Sequence, residues 1–176
     1  MNGTLEQAGE RWRLRFARQL SHPPEKVWRA ITEPEHLAAW FPHRIVGEWK
    51  VGAPLRFEQE SLPAFDGEVL AFDSPSLLEF SWGPDTIRLE IVPQGAGCTL
   101  ILTDTIEELG KAARDGAGWH TCLDMLERDL EGGAPEPDLR GRWREVHPGY
   151  VESFGPAAST IGPPDLTAAD GSRSAT

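Results

Sequence analysis

Between residues 44 and 106 apolar residues fall at every second position, run after run, and this alternation constrains the fold more than any other feature of the chain. Ile45, Gly47 and Trp49 share one parity, and Leu55 and Phe57 alternate with Arg56 and Glu58. Phe65, Val69 and Ala71 keep step around Gly67, as do Leu78, Phe80 and Trp82. Ile87, Leu89 and Ile91 alternate with Arg88 and Glu90, and Leu100 and Leu102 oppose Thr99, Ile101 and Thr103. Period two places successive side chains on opposite faces of a strand, so six half-buried strands are predicted. The turn-forming stretches "VGAP", "DSPS", "WGPD" and "PQGAG" separate the runs. Connections this short join antiparallel neighbours, and the result is a meander with one wet face.

Helical periodicity brackets that meander. Upstream, Trp12, Leu14 and Phe16 alternate with Arg11, Arg13 and Arg15 in a first strand. Next comes "SHPPEKVWRAITEPEHLAAWF", which reads as two short helices. Ser21 is the expected cap and Pro23 or Pro24 the first turn; Pro34 closes helix one and Pro42 helix two. Downstream, Trp119, Leu123, Leu126 and Leu130 form one stripe of a long helix over residues 114–131, stopped by Gly132 and Gly133. A second amphipathic run, Leu139, Trp143, Val146, Tyr150 and Phe154, follows, with Pro148 expected to kink or split it. The domain plan is an N-terminal arm (1–10), a core domain (11–132), a helical add-on (133–155) and a disordered tail (156–176) rich in Pro, Ala, Ser, Thr and Gly. A sheet whose apolar face is covered by one long helix is an α+β domain.

The formal net charge of −11 argues against nucleic acid, whose phosphates require a basic face. The alternating Arg11, Arg13 and Arg15 suit a solvated sheet face instead. Two cysteines, Cys98 and Cys122, make no disulfide framework. The N-terminus has no charged-then-apolar leader pattern and no apolar run is long enough to insert in a membrane, so a cytoplasmic location is expected. Seven Trp in 176 residues point to bulky aromatic walls.

The segments "FARQLSHPPEKVWRAITEPEHLAAWF", "FDGEVLAFDSPSLLEFSW" and "GWHTCLDMLERDLEGG" resemble, in that order, the START/SRPBCC superfamily with its helix-grip, Bet v 1-like fold. Within it they are most similar to the branch named for the C-terminal domain of activators of the Hsp90 ATPase. The resemblance spans residues 11–132. It implies a curved seven-stranded antiparallel sheet around the long helix, with an apolar cavity between them. Relatives use that cavity for lipids, polyketides, flavonoid-like compounds or hormones, and some are cyclases or hydrolases. Nothing in the chain resembles the separate N-terminal domain by which the eukaryotic activator engages its chaperone. The turn "TDTIEELGK" also departs from the family pattern.

Several residues are candidates for chemistry. His120 and Cys122 lie about 200° apart on a helix. Helical metal pairs need i,i+4 spacing, so no metal is expected here. His120 and Asp124 do have that spacing: they make either an oriented general base or a half-buried histidine satisfied by its neighbour. Cys122 has no base in reach and reads as an inert, buried thiol. Arg18 and Asp104 sit at apolar parity, so each needs a partner or a rim position, and Arg18 is the candidate polar anchor for a ligand. Trp40, Phe57, Phe65, Phe80, Trp82 and Trp119, with Leu89, Leu102 and Leu123, are either core or cavity wall.

The leading expectation is a protein that binds a small, mostly apolar molecule, without cofactor, nucleic acid or membrane insertion. An enzyme using His120–Asp124 or Arg18 at the cavity mouth is the second reading. The third is an adaptor or chaperone-associated protein acting through residues 135–155; a homodimer also stays open as a partner state. No Ser-His-Asp order, phosphate-cradling Gly loop or H-E-x-x-H motif is present.

Overall fold

Eight strands in the order β1-β2-β8-β7-β6-β5-β4-β3 form one antiparallel sheet in the computed structural model, which describes residues 2–60, 62–134 and 138–163. β1 (Thr4–Ala8) and β2 (Arg11–Leu20) come first, followed by α1 (Pro24–Thr32) and α2 (Pro34–Trp40). The meander is β3 (Arg44–Gly47), β4 (Pro54–Gln59), β5 (Leu62–Asp73), β6 (Leu77–Trp82), β7 (Asp85–Gln94) and β8 (Gly97–Ile106). A 3-10 turn (Leu109–Lys111) leads into α3 (Ala112–Leu130), and α4 (Leu139–Phe154) ends in a second 3-10 turn (Pro156–Ala158).

The six predicted meander strands are all present, and the sheet has one strand more than the seven expected. The extra strand is β1, drawn from the stretch read as an arm. Its pattern is mostly exposed, so no alternation announced it. A two-residue turn at Gly9–Glu10 pairs Ala8 with Arg11, and Gly9 supplies a φ of 65° at the first turn position, as a II′ hairpin needs.

The inner face carries Leu14, Phe16 and Leu20 of β2, Leu55 and Phe57 of β4, Leu78 and Phe80 of β6, and Ile87, Leu89 and Ile91 of β7, all buried. Curvature comes from β5, whose first half pairs with β4 and whose second half pairs with β6, with a register shift between Val69 and Ala71. Gly67 sits at the bend because a Cβ there would lie 2.3 Å from the Ser81 carbonyl oxygen. Prolines open both short helices, and the N-cap of α1 is Pro23 rather than Ser21, with no side-chain cap.

α3 is buried on two sides. Trp119, Leu123, Leu126 and Leu130 face the sheet, while Ala113, Gly116 and Ala117 lie under α4. A Cβ on Gly116 would come within 3.0 Å of the Tyr150 ring, so glycine lets the two helices approach closely. Of the kink or split expected at Pro148, the split does not occur: α4 is one helix from Leu139 to Phe154, and docking on α3 compensates the missing backbone hydrogen bond. A second correction concerns the tail. Residues 156–161 are packed, with Ala158 1% exposed and Ile161 N donating to the Gly110 carbonyl at 3.0 Å. The rest of the segment expected to be disordered, 164–176, lies outside the described residues.

Candidate functional site

Rings from three directions meet between the sheet and α3. Phe41, just past α2, lies 6.4 Å from Phe57, 6.0 Å from Phe80, 6.1 Å from Trp82 and 5.8 Å from Trp119, centroid to centroid. Phe57 stacks on Phe65 at 5.1 Å and on Phe80 at 5.8 Å, and Trp82 meets Trp119 at 5.5 Å. The structure therefore brings together five of the aromatic candidates, and Trp40 joins them through Phe41 at 5.5 Å. Leu89 and Leu102 pair across β7 and β8 on the sheet floor, and Leu123 is buried on α3. These rings are in mutual contact, so a guest must part them to enter.

The polar groups at this interior are few. Trp119 donates its indole N–H to Asp104 Oδ2 at 2.7 Å, which explains an aspartate at apolar parity. Asp104 is fully buried and its Oδ1 has no hydrogen-bond partner among the described residues. Burial first, then the nearby Asp85 carboxylate, raises its carboxyl well above the usual range. Trp82 Nε1 and His43 Nδ1 are likewise shielded and unpartnered. The register places Leu14 opposite Asp104 and Leu100 opposite Arg18, so Arg18 and Asp104 are not neighbours.

Asp85, Asp104 and Asp115 each bring one possible ligand atom within 4.8 Å of the others, an arrangement with the donor set of a cation site. The Lys111 ammonium already occupies it, bonded to Asp85 Oδ2 and 3.7 Å from Asp115 Oδ2, while Arg114 Nε holds Asp115 at 2.7 Å. Lys111 and Arg114 set two cations against the three carboxyls, and burial favours the neutral form of Asp104.

His120 and Asp124 do not sit at a mouth of the sheet–helix interior. They lie between α3 and α4, where His120 Nδ1 is 2.9 Å from Tyr150 Oη and His120 Nε2 is 3.6 Å from Asp124. Arg142 of α4 donates twice to Asp124 Oδ2, at 3.0 and 2.8 Å. Arg18 reaches the same cluster from β2, pairing with Asp124 and Glu127 at 3.1 Å each. The Tyr150 hydroxyl also accepts from Gly3 N at 3.1 Å. His120 is thus buried and hydrogen-bonded to Tyr150. A pocket of ≈ 80 Å³ opens beside it, lined by Thr121, Asp124, Met125, Arg128, Leu139 and Arg142. Small-molecule sites typically offer about 300–1,000 Å³, so this one accepts no more than a few atoms.

Both cysteines are free, and burial pushes the Cys122 thiol up to about 12, which removes it as a nucleophile. Sequence reasoning missed His43, Asp85 and Lys111. His43 follows Pro42 in a connection with no period, so nothing marked it. The i,i+4 spacing of Lys111 and Asp115 was a legible hint for the acidic cluster.

The model of the "Activator of Hsp90 ATPase homolog 1-like protein" family matches residues 21–131. No curated protein matches. Among solved structures, CalU16 from Micromonospora echinospora is 23% identical with a TM-score of 0.69, over 87% of this chain and 94% of that one. Protein MLL2253 from Mesorhizobium loti is 26% identical with a TM-score of 0.61, over 69% of this chain and 98% of that one. DynU16, from the dynemicin biosynthetic locus, is 26% identical with a TM-score of 0.62, over 70% of this chain and 48% of that one.

Proposed function

The chain belongs to the Activator of Hsp90 ATPase homolog 1-like family, and from that premise we propose that it binds a small, mostly apolar molecule gripped between the curved sheet and α3. The observation that carries the reading is the continuous aromatic set of Phe41, Phe57, Phe65, Phe80, Trp82 and Trp119, contributed by separate elements and reaching the surface at one end. Phe65 and Trp82 are only partly buried, whereas Phe57 and Phe80 are at most 1% exposed, so that end is where rings part most cheaply. Phe41 lies in the connection between α2 and β3, outside the sheet ladder. Burying apolar guest surface at about 25 cal/mol per Å² supplies the driving force. Opening the closed interior subtracts from it, because apparent affinity scales with the fraction of open protein.

Native mass spectrometry of freshly purified protein, with calorimetric titration of an apolar panel, tests the reading. A co-purified small mass, or saturable binding that quenches or shifts tryptophan emission, is expected. Absence of both across flat, branched and chain-like apolar compounds overturns it.

A further inference from the structure

We propose that the Trp82 indole N–H and the His43 imidazole form an uncharged polar anchor at the thinly covered end of the aromatic interior, selecting flat aromatic guests that carry a hydroxyl or carbonyl oxygen. The inference rests on the reading above, that the interior admits a guest, and goes further by naming the chemistry the guest must offer. Four other tryptophans show what this fold does with an indole N–H. Trp40 donates to the Ala30 carbonyl at 2.9 Å, Trp49 to the Thr32 carbonyl at 2.8 Å, Trp119 to Asp104 at 2.7 Å and Trp143 to the Arg114 carbonyl at 3.2 Å. Trp82 Nε1 is as shielded from water and has no acceptor among the described residues. A buried donor left unpaired costs free energy that an arriving acceptor returns, so an orphan of this kind points to a partner.

The second orphan is its neighbour. His43 meets Trp82 at 5.5 Å between centroids and 76° between planes, and its Nδ1 is also buried without a partner. Burial lowers the His43 pKa from 6.5, so the ring is neutral at physiological pH. A neutral imidazole offers one donor and one acceptor according to tautomer, and the indole offers a donor alone. A hydroxyl matches the two groups in kind, an acceptor for Trp82 and a donor for His43. A carbonyl oxygen matches them by accepting from each. Neither side chain is charged, so nothing in the pair repays the desolvation of a carboxylate or ammonium.

The surroundings set the shape. Phe65 meets the His43 ring edge-on at 5.2 Å and stacks on Phe57 at an interplanar angle of 21°, so a planar guest finds ring faces and edges to pack against. His43, Phe65 and Trp82 are the members nearest to solvent, which puts the anchor where a guest arrives.

Calorimetry with 2-naphthol and 2-methylnaphthalene, which differ by a hydroxyl for a methyl on the same ring system, tests the anchor. The readout is the ratio of the two affinities, compared between wild type, Trp82→Phe and His43→Phe, with thermal melts checking that each variant is folded. Trp82→Phe should lower the naphthol-to-methylnaphthalene ratio about tenfold, the equivalent of one net hydrogen bond. His43→Phe should lower the ratio in the same direction. Binding of both probes with a ratio unchanged in both variants overturns the anchor and leaves the apolar-guest reading standing. Failure of 2-naphthol to bind the wild type overturns the anchor, binding of 2-naphthol with none of 2-methylnaphthalene supports it, and failure of the whole apolar panel overturns the parent reading as well.

Discussion

Asp104 and Trp119 tie β8 to α3 through one buried hydrogen bond, and the electrostatics of that pair make a testable claim at the scale of single residues. Because the folded carboxyl is raised above its ordinary value of 3.8, the native state holds the proton more tightly than the unfolded chain does. Stability from this group is therefore fully present below 3.8 and is lost as pH rises through the folded value. Asp104→Asn should lack that decline, so the gap between variant and wild type widens with pH in urea titrations. A wild-type profile that falls no more steeply than the variant's rejects this account. Trp119→Phe leaves both Asp104 oxygens without a donor and should cost about 1–3 kcal/mol in the same assay. Gly67→Ala drives a methyl into the Ser81 backbone at 2.3 Å and should destabilise by about 1–3 kcal/mol, read from the urea midpoint.

The α3–α4 contact is the element whose role most changes the functional reading. α4 lies outside the region matched by the family model, and its apolar side is spent on the domain itself through Trp143, Val146, Tyr150, Val151 and Phe154. His120→Ala should therefore loosen α4, detected as faster amide exchange over 139–154, since the ring bonds Tyr150 rather than the interior. Burial chiefly, with smaller contributions from Arg18 and Arg142, lowers the His120 pKa below 6.5 against the opposing pull of Asp124. The unfolded chain then binds more protons, so the stability this site contributes is present above 6.5 and lost as pH falls through the folded value. The protection factors of α4, taken against the intrinsic exchange rate at each pH, should fall in mild acid, and His120→Gln should blunt that response. Pro148→Ala restores a helix-interior N–H and should stabilise α4 by about 1–3 kcal/mol, read as slower amide exchange over 139–154.

At the scale of the whole molecule, the aromatic interior is closed and one end of it is thin. A guest that binds only the folded, opened form stabilises by mass action, about 2.7 kcal/mol at a hundredfold excess over Kd. The thermal midpoint should therefore climb with guest concentration, and it should stay put for guests too branched to slip between Phe65 and Trp82. No described helix is long and apolar enough to cross a membrane. The formal charge of −11 sets a long-range field that repels polyanions.

What the amino-acid order determined by itself was the local grammar: six alternating strands, two proline-opened helices, and the Trp119–Leu130 stripe that had to lie on a sheet. Alternation and the 3.6-residue period are properties of neighbouring residues, so they survive without any knowledge of the fold. The family was legible for the same reason, since its motifs are runs along the chain. Tertiary structure alone decided the rest. β1 is held by pairing with β2, not by an apolar face, and Ala158 and Ile161 are ordered by the surface they meet around Gly110. What covers the flank of α3 that carries His120 is decided by α4, whose Tyr150 lies 30 residues later in the chain. The meeting of His43 with Trp82 joins positions far apart in sequence, and only the bend of the sheet brings them within one ring's reach.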